Sequence, residues 1–207
     1  MKYKMGVKAS GFLLVSLFII LTSFAPEHSF EDTWATVRNT EAIQVFAKKN
    51  SIGFKDIRIE ASIQVPLSDF IQFINDVKKY PQWVFKCNDA RQLLDRDSVL
   101  QYWIVSDFPF PFRDREIKVI SNFAVENNTF RSVSRADSSF EGGPGRIVIR
   151  DFSSQWLVKE LNPGEIKIEY EVSTNPGGSI PAWLANMAVD IGPYKTMVNL
   201  KNALEGR

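Results

Sequence analysis

Alternating apolar and polar residues predict two strands that each have one buried face. Every second residue from Ile57 to Val65 is apolar, and the residues between them are charged or polar. The segment Glu165–Val172 repeats this pattern. A period of two places one face of a strand against a core and the other in water. Further alternating segments follow Arg91, so we expect an antiparallel sheet to form most of the domain.

Three other segments show the spacing of amphipathic helices. Glu31–Lys49 is predicted to be a helix with an imperfect apolar stripe, and a second helix is predicted between Pro66 and Pro81. A long final helix is predicted near the C-terminus. Its apolar side consists of Ile180, Trp183, Leu184, Met187, Ile191 and Tyr194. We expect Gly192-Pro193 to kink this helix, because proline cannot donate the helical hydrogen bond.

Two short motifs are predicted to be loops. Phe108-Pro109-Phe110-Pro111-Phe112 alternates aromatic rings with prolines, and prolines within an inner strand would remove ladder hydrogen bonds. Its three rings need a cavity or a membrane surface to accept them, or they plug the end of a solid core. In Asn175–Leu184, two consecutive glycines permit a sharp turn from the last strand into the final helix.

Together, Phe108–Glu116 and Asn175–Leu184 resemble the START (steroidogenic acute regulatory-related lipid transfer) family, most closely its phosphatidylcholine-transfer branch. Trp83 and the pair Tyr102-Trp103 support the resemblance, which extends from Glu31 to the C-terminus. It implies an α+β helix-grip fold. In that fold a curved antiparallel sheet wraps around a long C-terminal helix and encloses a hydrophobic cavity for one lipid.

The resemblance implies that a set of apolar and aromatic residues faces the ligand, whereas without it they would be expected to form a solid core. They are Trp103, Ile117, Val119, Phe123, Phe152, Trp156, Trp183 and Met187, and Arg150 is predicted to share the face of Phe152 and Trp156. Trp103 matches a tryptophan of the choline cage in phosphatidylcholine carriers, whereas Ile117 and Phe152 replace cage tyrosines. We therefore expect no preference for phosphatidylcholine, since the cage has lost most of its π surface. Arg150 is the one cation predicted to meet a ligand headgroup, provided that its strand is regular.

A ligand needs a route into such a cavity, and the two motifs are the expected movable parts. The predicted gate residues are Phe108, Phe110, Phe112, Gly177 and Gly178.

The first residues have the order of a secretory signal. Lys2, Lys4 and Lys8 precede the apolar run Gly11–Phe24, and small residues end at Ala25. We expect residues 1–25 to be a signal peptide, 26–30 a short linker and 31–207 the lipid-binding domain. The protein is expected in the periplasm or outside the cell. The alternative is an uncleaved segment that serves as a membrane anchor.

The balance of basic and acidic residues narrows the classes of partner that we expect. Without the three N-terminal lysines, 22 of the 25 basic residues remain against 24 acidic ones. A near-neutral chain argues against nucleic acid as a partner, because phosphate binding needs a concentrated basic surface. The expected partners are a lipid or other hydrophobic small molecule and, transiently, a membrane surface. The protein is expected to be a monomer.

Cys87 is the only cysteine, so no intrachain disulfide can form. We expect it to be a small buried side chain.

Catalytic groups are scarce in this sequence. His28 is the only histidine and lies beside the signal segment, which removes Ser-His and Cys-His pairs from the folded domain. Asp114 and Glu116 alternate with Arg113 and Arg115, so local ion pairing is expected to keep these acids ionised. The sequence thus predicts non-catalytic binding, transfer or sensing of a lipid, without metal or cofactor. The alternatives are a cyclase or hydrolase of the same fold type, and an interaction module whose cavity is filled by side chains.

Overall fold

The computed structural model describes residues 33–187 and 189–206, so the predicted signal peptide and linker lie outside the described residues. Within the described part the chain forms ten strands and four α-helices. The strands are β1 (Ala35–Asn39), β2 (Ile43–Lys49), β3 (Lys55–Ile63), β4 (Cys87–Arg96), β5 (Val99–Ser106), β6 (Arg115–Glu126), β7 (Thr129–Ala136), β8 (Ile147–Val148), β9 (Asp151–Asn162) and β10 (Glu165–Asn175). The helices are α1 (Leu67–Asn75), α2 (Tyr80–Trp83), α3 (Ala182–Asn186) and α4 (Ile191–Glu205).

All ten strands belong to one sheet. Nine of them run in the order β1-β2-β3-β10-β9-β7-β6-β5-β4, and every neighbouring pair in that order is antiparallel. The short β8 pairs with the start of β6 in the parallel sense. The last strand inserts beside β3, with Ile166 opposite Ile63 and Val172 opposite Ile57. The two strands predicted from clean alternation therefore lie side by side, and both are confirmed.

The core lies between the inner face of this sheet and three helices. On α4, Met197, Leu200 and Leu204 are buried, and the helix contacts β2, β3, α1 and α2. On α1, the ring of Phe70 packs against those of Phe130 and Trp156, with ring centroids 6.0 and 5.8 Å apart. The predicted α+β class, with an antiparallel sheet packed on a C-terminal helix, is confirmed. No helix within 33–187 and 189–206 is long and apolar enough to cross a bilayer.

The helix predicted over Glu31–Lys49 is wrong, because this segment forms the hairpin of β1 and β2. In β2 the buried positions are Ile43, Val45 and Ala47, which is a period of two. The side-chain hydroxyl of Thr40 donates to the carbonyl oxygen of Ile43 and closes the turn. The edge of β3 supplies hydrogen bonds along all of β2, so this segment forms a strand despite its helix-like spacing.

The C-terminal helix is also not one kinked helix. It consists of α3 and α4, which are separate elements. Gly192 and Pro193 lie in the first turn of α4, where a proline is tolerated because its missing N–H would have had no helical partner. The helix predicted after Pro66 is confirmed as α1. Pro81 does not end a helix as predicted; it opens α2 instead.

Candidate functional site

A cavity of about 280 Å³ lies between the inner face of the sheet and the helices. Strands β5, β6, β7, β9 and β10 form one wall, and α1, α2 and the first turns of α4 form the other. Its apolar lining includes Ile74, Leu100, Ile117, Val119, Phe130 and Trp156. Among the described residues that line it, none carries a formal charge. Such a lining suits apolar groups, because it offers no partner for a buried charge.

One part of the cavity wall is polar but neutral. The hydroxyls of Ser121, Ser132 and Ser134 form a chain, with Oγ–Oγ distances of 2.9 Å from Ser121 to Ser132 and 3.0 Å from Ser134 to Ser121. All three serines are buried. They project from adjacent positions of β6 and β7, where Ser121 is paired with Ser134.

Three tyrosines extend this polar region. The rings of Tyr80 and Tyr102 meet edge to face, with centroids 5.4 Å apart, and the Tyr80 hydroxyl donates to the carbonyl oxygen of Ile74. Burial raises the pKa of Tyr102 to about 12, although hydrogen bonds with Ser134 and Tyr80 oppose the rise. Burial also raises the pKa values of Tyr80 and Tyr170. These phenols therefore remain protonated donors near neutral pH.

The structure brings four of the nine predicted ligand-facing residues together. Ile117, Val119, Phe152 and Trp156 all line the cavity. Phe123 lies behind this lining, where its ring stacks on Phe130 with centroids 6.1 Å apart. The remaining four, Trp103, Arg150, Trp183 and Met187, lie outside the cavity.

The prediction that Trp103 faces the interior is wrong. Its neighbours Tyr102 and Ile104 line the cavity, so Trp103 projects from the opposite face of β5. Its indole N–H donates to a carboxylate oxygen of Glu116 at 3.0 Å, and the guanidinium of Arg146 lies 5.7 Å from the ring centroid. Both faces of β5 carry apolar residues because the loop that precedes β8 covers the outer one, so alternation could not identify the inner face.

Arg150 does not reach the cavity either. The predicted regular strand is interrupted, since β8 ends at Val148 and β9 begins at Asp151. Arg150 lies in this gap, is exposed, and donates to the carbonyl oxygens of Ser138 and Phe140. The expectation that Arg150 meets a ligand headgroup is therefore wrong in this structure.

Trp183 and Met187, which were expected to face inward from the final helix, are 66% and 70% exposed. No residue of α3 is buried. Instead, Asn186 fastens this short helix to the turn between β2 and β3. Its amide nitrogen donates to the carbonyl oxygen of Gly53 at 2.8 Å, and its oxygen accepts from the backbone N–H of Lys55 at 3.0 Å.

The two motifs predicted to gate the cavity meet at Arg115. This side chain is 2% exposed, and its guanidinium lies 4.0 Å from the centroid of the Phe108 ring. It donates to the carbonyl oxygens of Pro176 and Gly177, and also to that of Arg113. The ion pairing predicted for Arg115 is thus wrong, because backbone carbonyls hold the guanidinium.

The other predicted gate residues differ in their surroundings. Phe110 is 97% exposed at the tip of its loop, whereas Phe112 is half-buried. Gly177 and Gly178 both have positive φ, 68° and 69°, a region that favours glycine. A side chain at Gly177 would come 3.3 Å from the Ile147 side chain.

Glu116 and Cys87 are both buried. Glu116 is 2% exposed and accepts hydrogen bonds from the Trp103 indole and the Gly143 backbone N–H. Cys87 is buried as predicted. Burial raises its pKa to about 12, which keeps the thiol protonated and unreactive.

Comparisons with known proteins agree with this architecture. No protein-family model matches the chain. An uncharacterised protein of Pseudomonas aeruginosa is 24% identical over 183 residues, which is 87% of this chain and 91% of its relative. The crystal structure of a STAR-related lipid transfer protein from Xanthomonas axonopodis superimposes with a TM-score of 0.77 at 21% identity, and covers 84% of this chain and 99% of that chain.

This is a START-like fold. Human StAR-related lipid transfer protein 5 shares it, with a TM-score of 0.72 at 12% identity over 84% of this chain and 86% of that chain. At these identities the comparison establishes the START-like architecture alone.

Sequence reasoning missed the polar part of the site, namely Tyr80, Tyr102, Tyr170 and the buried serines. A signal for the serines was present. Ser121 continues the spacing of Ile117 and Val119 along β6, and Ser132 and Ser134 alternate with outward residues of β7. The same period of two that identified the apolar lining therefore identifies these hydroxyls as inward-facing.

Proposed function

We propose that this protein binds one hydrophobic ligand, a lipid or a lipid-like molecule, non-covalently in its internal cavity, and carries or senses it. The observation that carries the proposal is the uncharged, largely apolar cavity between the sheet and α4. Each methylene group removed from water contributes about 0.8 kcal/mol, so burial alone supplies much of the affinity. Further support comes from the START-like fold, since two proteins that share it are named as lipid transfer proteins.

The cavity volume favours a ligand of modest size. Ligand pockets commonly measure about 300–1,000 Å³, and this one measures about 280 Å³. That space suits a single chain or a compact ring system better than a phospholipid with two chains. Larger ligands would require α3 and the loop Phe108–Phe112 to move outward.

We propose that α3 and the loop Phe108–Phe112 form the gate. Both are close in the chain to residues that line the cavity. Ser106 lies just before the loop, and Gly192 lies in the first turn of α4, after α3. The exposed rings of Phe110 and Trp183 are suited to transient contact with a membrane surface during exchange. Exchange at a membrane outside the cytoplasm agrees with the signal peptide expected from the sequence. We propose no chemical step, because the described lining holds no Asp, Glu, His, Lys, Arg or Cys side chain, and burial keeps its tyrosines protonated.

The test compares two adjacent positions of β10. Thr174 lines the cavity, whereas Ser173 projects to the outer face. We expect Thr174→Trp to fill part of the cavity and to weaken binding of a fluorescent fatty acid at least about tenfold, while Ser173→Trp leaves it unchanged. Thermal unfolding of both variants checks that they fold. Equal affinities in two folded variants would show that the ligand does not occupy this cavity.

A further inference from the structure

We propose that the cavity selects a lipid with an uncharged, oxygen-bearing polar end, which its hydroxyl cluster and the indole of Trp83 recognise. This inference rests on the proposed function and adds the chemical class of the ligand. It starts from Trp83, a cavity-lining residue that is 4% exposed. Its indole Nε1 is buried and has no hydrogen-bond partner among the described residues.

An unpaired buried N–H is costly, and native structures seldom retain one without a partner. Indole N–H groups only donate, so the partner that Trp83 lacks is an acceptor. A ligand oxygen in the cavity would supply that acceptor once a small movement of the ring brings Nε1, which is fully buried in this structure, to the cavity surface. The ring of Trp83 packs edge to face on Tyr80, with centroids 5.2 Å apart, and Tyr80 packs on Tyr102 in the same way. The indole is therefore connected to the serine cluster through these two tyrosines.

The serine cluster also has hydrogen-bonding capacity to spare. Two hydrogen bonds join the hydroxyls of Ser121, Ser132 and Ser134. Tyr102 also hydrogen-bonds with Ser134, so the third serine hydrogen can be used as well. The three hydroxyls carry six lone pairs, and these bonds leave several of them free. This wall can thus accept from a ligand hydroxyl, while the indole of Trp83 is the candidate donor to a ligand oxygen.

The same wall discriminates against charge. Burying an ion without a counter-ion is strongly unfavourable, and the described lining contains no Asp, Glu, Lys or Arg. Burial keeps the pKa of Tyr102 high, at about 12, so this phenol supplies no negative charge to a cationic headgroup. A glycerol, alcohol or carbonyl group matches these donors and acceptors without such a penalty.

The experiment uses three probes that share one palmitoyl chain and differ only in the polar end: monopalmitoylglycerol, palmitate and palmitoylcholine. Their binding to the full chain is measured by displacement of a fluorescent apolar dye. We expect monopalmitoylglycerol to bind at least about a hundredfold tighter than palmitoylcholine and ionised palmitate. Palmitate should bind more tightly as the pH falls, since only the neutral acid fits.

Two variants test whether the Trp83 indole and the serine hydroxyls bind the polar end of the ligand. Trp83→Phe keeps the ring and removes the N–H, and should weaken monopalmitoylglycerol binding about three- to tenfold. Trp34→Phe is the matched control, because Trp34 lies on the outer face of the sheet beside Arg58. Ser132→Ala tests the same recognition independently if the Trp83 variant does not fold. It should weaken monopalmitoylglycerol binding by a similar factor.

Ionised palmitate or palmitoylcholine binding as tightly as monopalmitoylglycerol would overturn this inference and leave the proposed function standing. The same holds if folded Trp83→Phe and Ser132→Ala variants bind monopalmitoylglycerol as tightly as the unmodified protein. If none of the three probes displaces the dye and the dye itself does not bind, the proposed function fails as well.

Discussion

The two C-terminal helices adjoin in the chain but are held by different forces. Helix α4 buries Met197, Leu200 and Leu204 in the core. Helix α3 buries no residue. It is held by the hydrogen bonds of Asn186 to the backbone of Gly53 and Lys55, and by the turn that precedes α3, whose carbonyl oxygens accept from Arg115. Apolar burial resists local opening, whereas a few half-exposed hydrogen bonds contribute little net free energy. We therefore assign α4 to the scaffold and propose that α3 opens without unfolding it.

The largest expected effect comes from truncating one apolar side chain on each helix. Leu200 is fully buried and Trp183 is 66% exposed. Leu200→Ala should lower the free energy of unfolding by about 2–5 kcal/mol, because it leaves a cavity in the core. Trp183→Ala should change it by no more than about 0.5 kcal/mol. Urea unfolding measures both. A loss from Trp183→Ala as large as that from Leu200→Ala would mean that α3 is part of the core.

Alkaline pH should act on the scaffold and spare α3, which contains no titratable side chain. Burial raises the pKa values of Tyr80, Tyr102 and Tyr170, so the native state keeps protons that the unfolded chain releases above about pH 10. The stability that these phenols contribute is fully present below that pH and is lost as the pH rises above it. The buried Cys87 thiol, whose pKa is raised from 9 to about 12, adds a loss that begins about one pH unit lower. By about pH 11 each tyrosine should have cost about 1.4 kcal/mol.

Urea unfolding at about pH 8 and pH 11 measures this loss. In Tyr102→Phe, the free energy of unfolding should fall by about 1.4 kcal/mol less between these pH values, because one tyrosine no longer titrates. An unchanged stability at both pH values would contradict the assigned burial of the three phenols.

The smallest expected change in stability concerns the fastening of α3. Asn186→Ala removes its hydrogen bonds to Gly53 and Lys55, which should leave global stability within about 1 kcal/mol. Ligand release, measured by stopped-flow transfer of a fluorescent lipid to vesicles, should become about tenfold faster. Asn162→Ala is the matched control, since Asn162 is the exposed last residue of β9 and its side-chain amide donates to the carboxylate of Glu165. Equal release rates in the two variants would show that α3 does not limit exchange.

The fold could be predicted from the sequence wherever one side of an element meets water. In β3 and β10, charged residues mark the outer face, and alternation identified both strands and their buried sides. The first hairpin was missed for a different reason. Trp34 and Val37 are three residues apart, as are Ile43 and Phe46, which suggested a helical stripe. The long-range pairing of β2 with β3 decides the structure instead.

The candidate site was harder to predict, because it depends on which face of a strand is covered by a distant loop. Both faces of β5 are apolar, so periodicity could not show which of Trp103 and Tyr102 faces the interior. The buried side of β7 is marked by serines, which resemble surface residues until their hydroxyls are seen to bind one another. Arg150 was misplaced because the interruption between β8 and β9 leaves no apolar signature.

The central claim is that the cavity between sheet and α4 holds one hydrophobic ligand. Its most direct test is organic extraction of the purified full chain after incubation with lipid vesicles, followed by mass spectrometry and comparison with Thr174→Trp. We expect about one lipid-like molecule per chain, and clearly less in the variant. Extracts without any hydrophobic molecule above the level of a protein-free blank would contradict it.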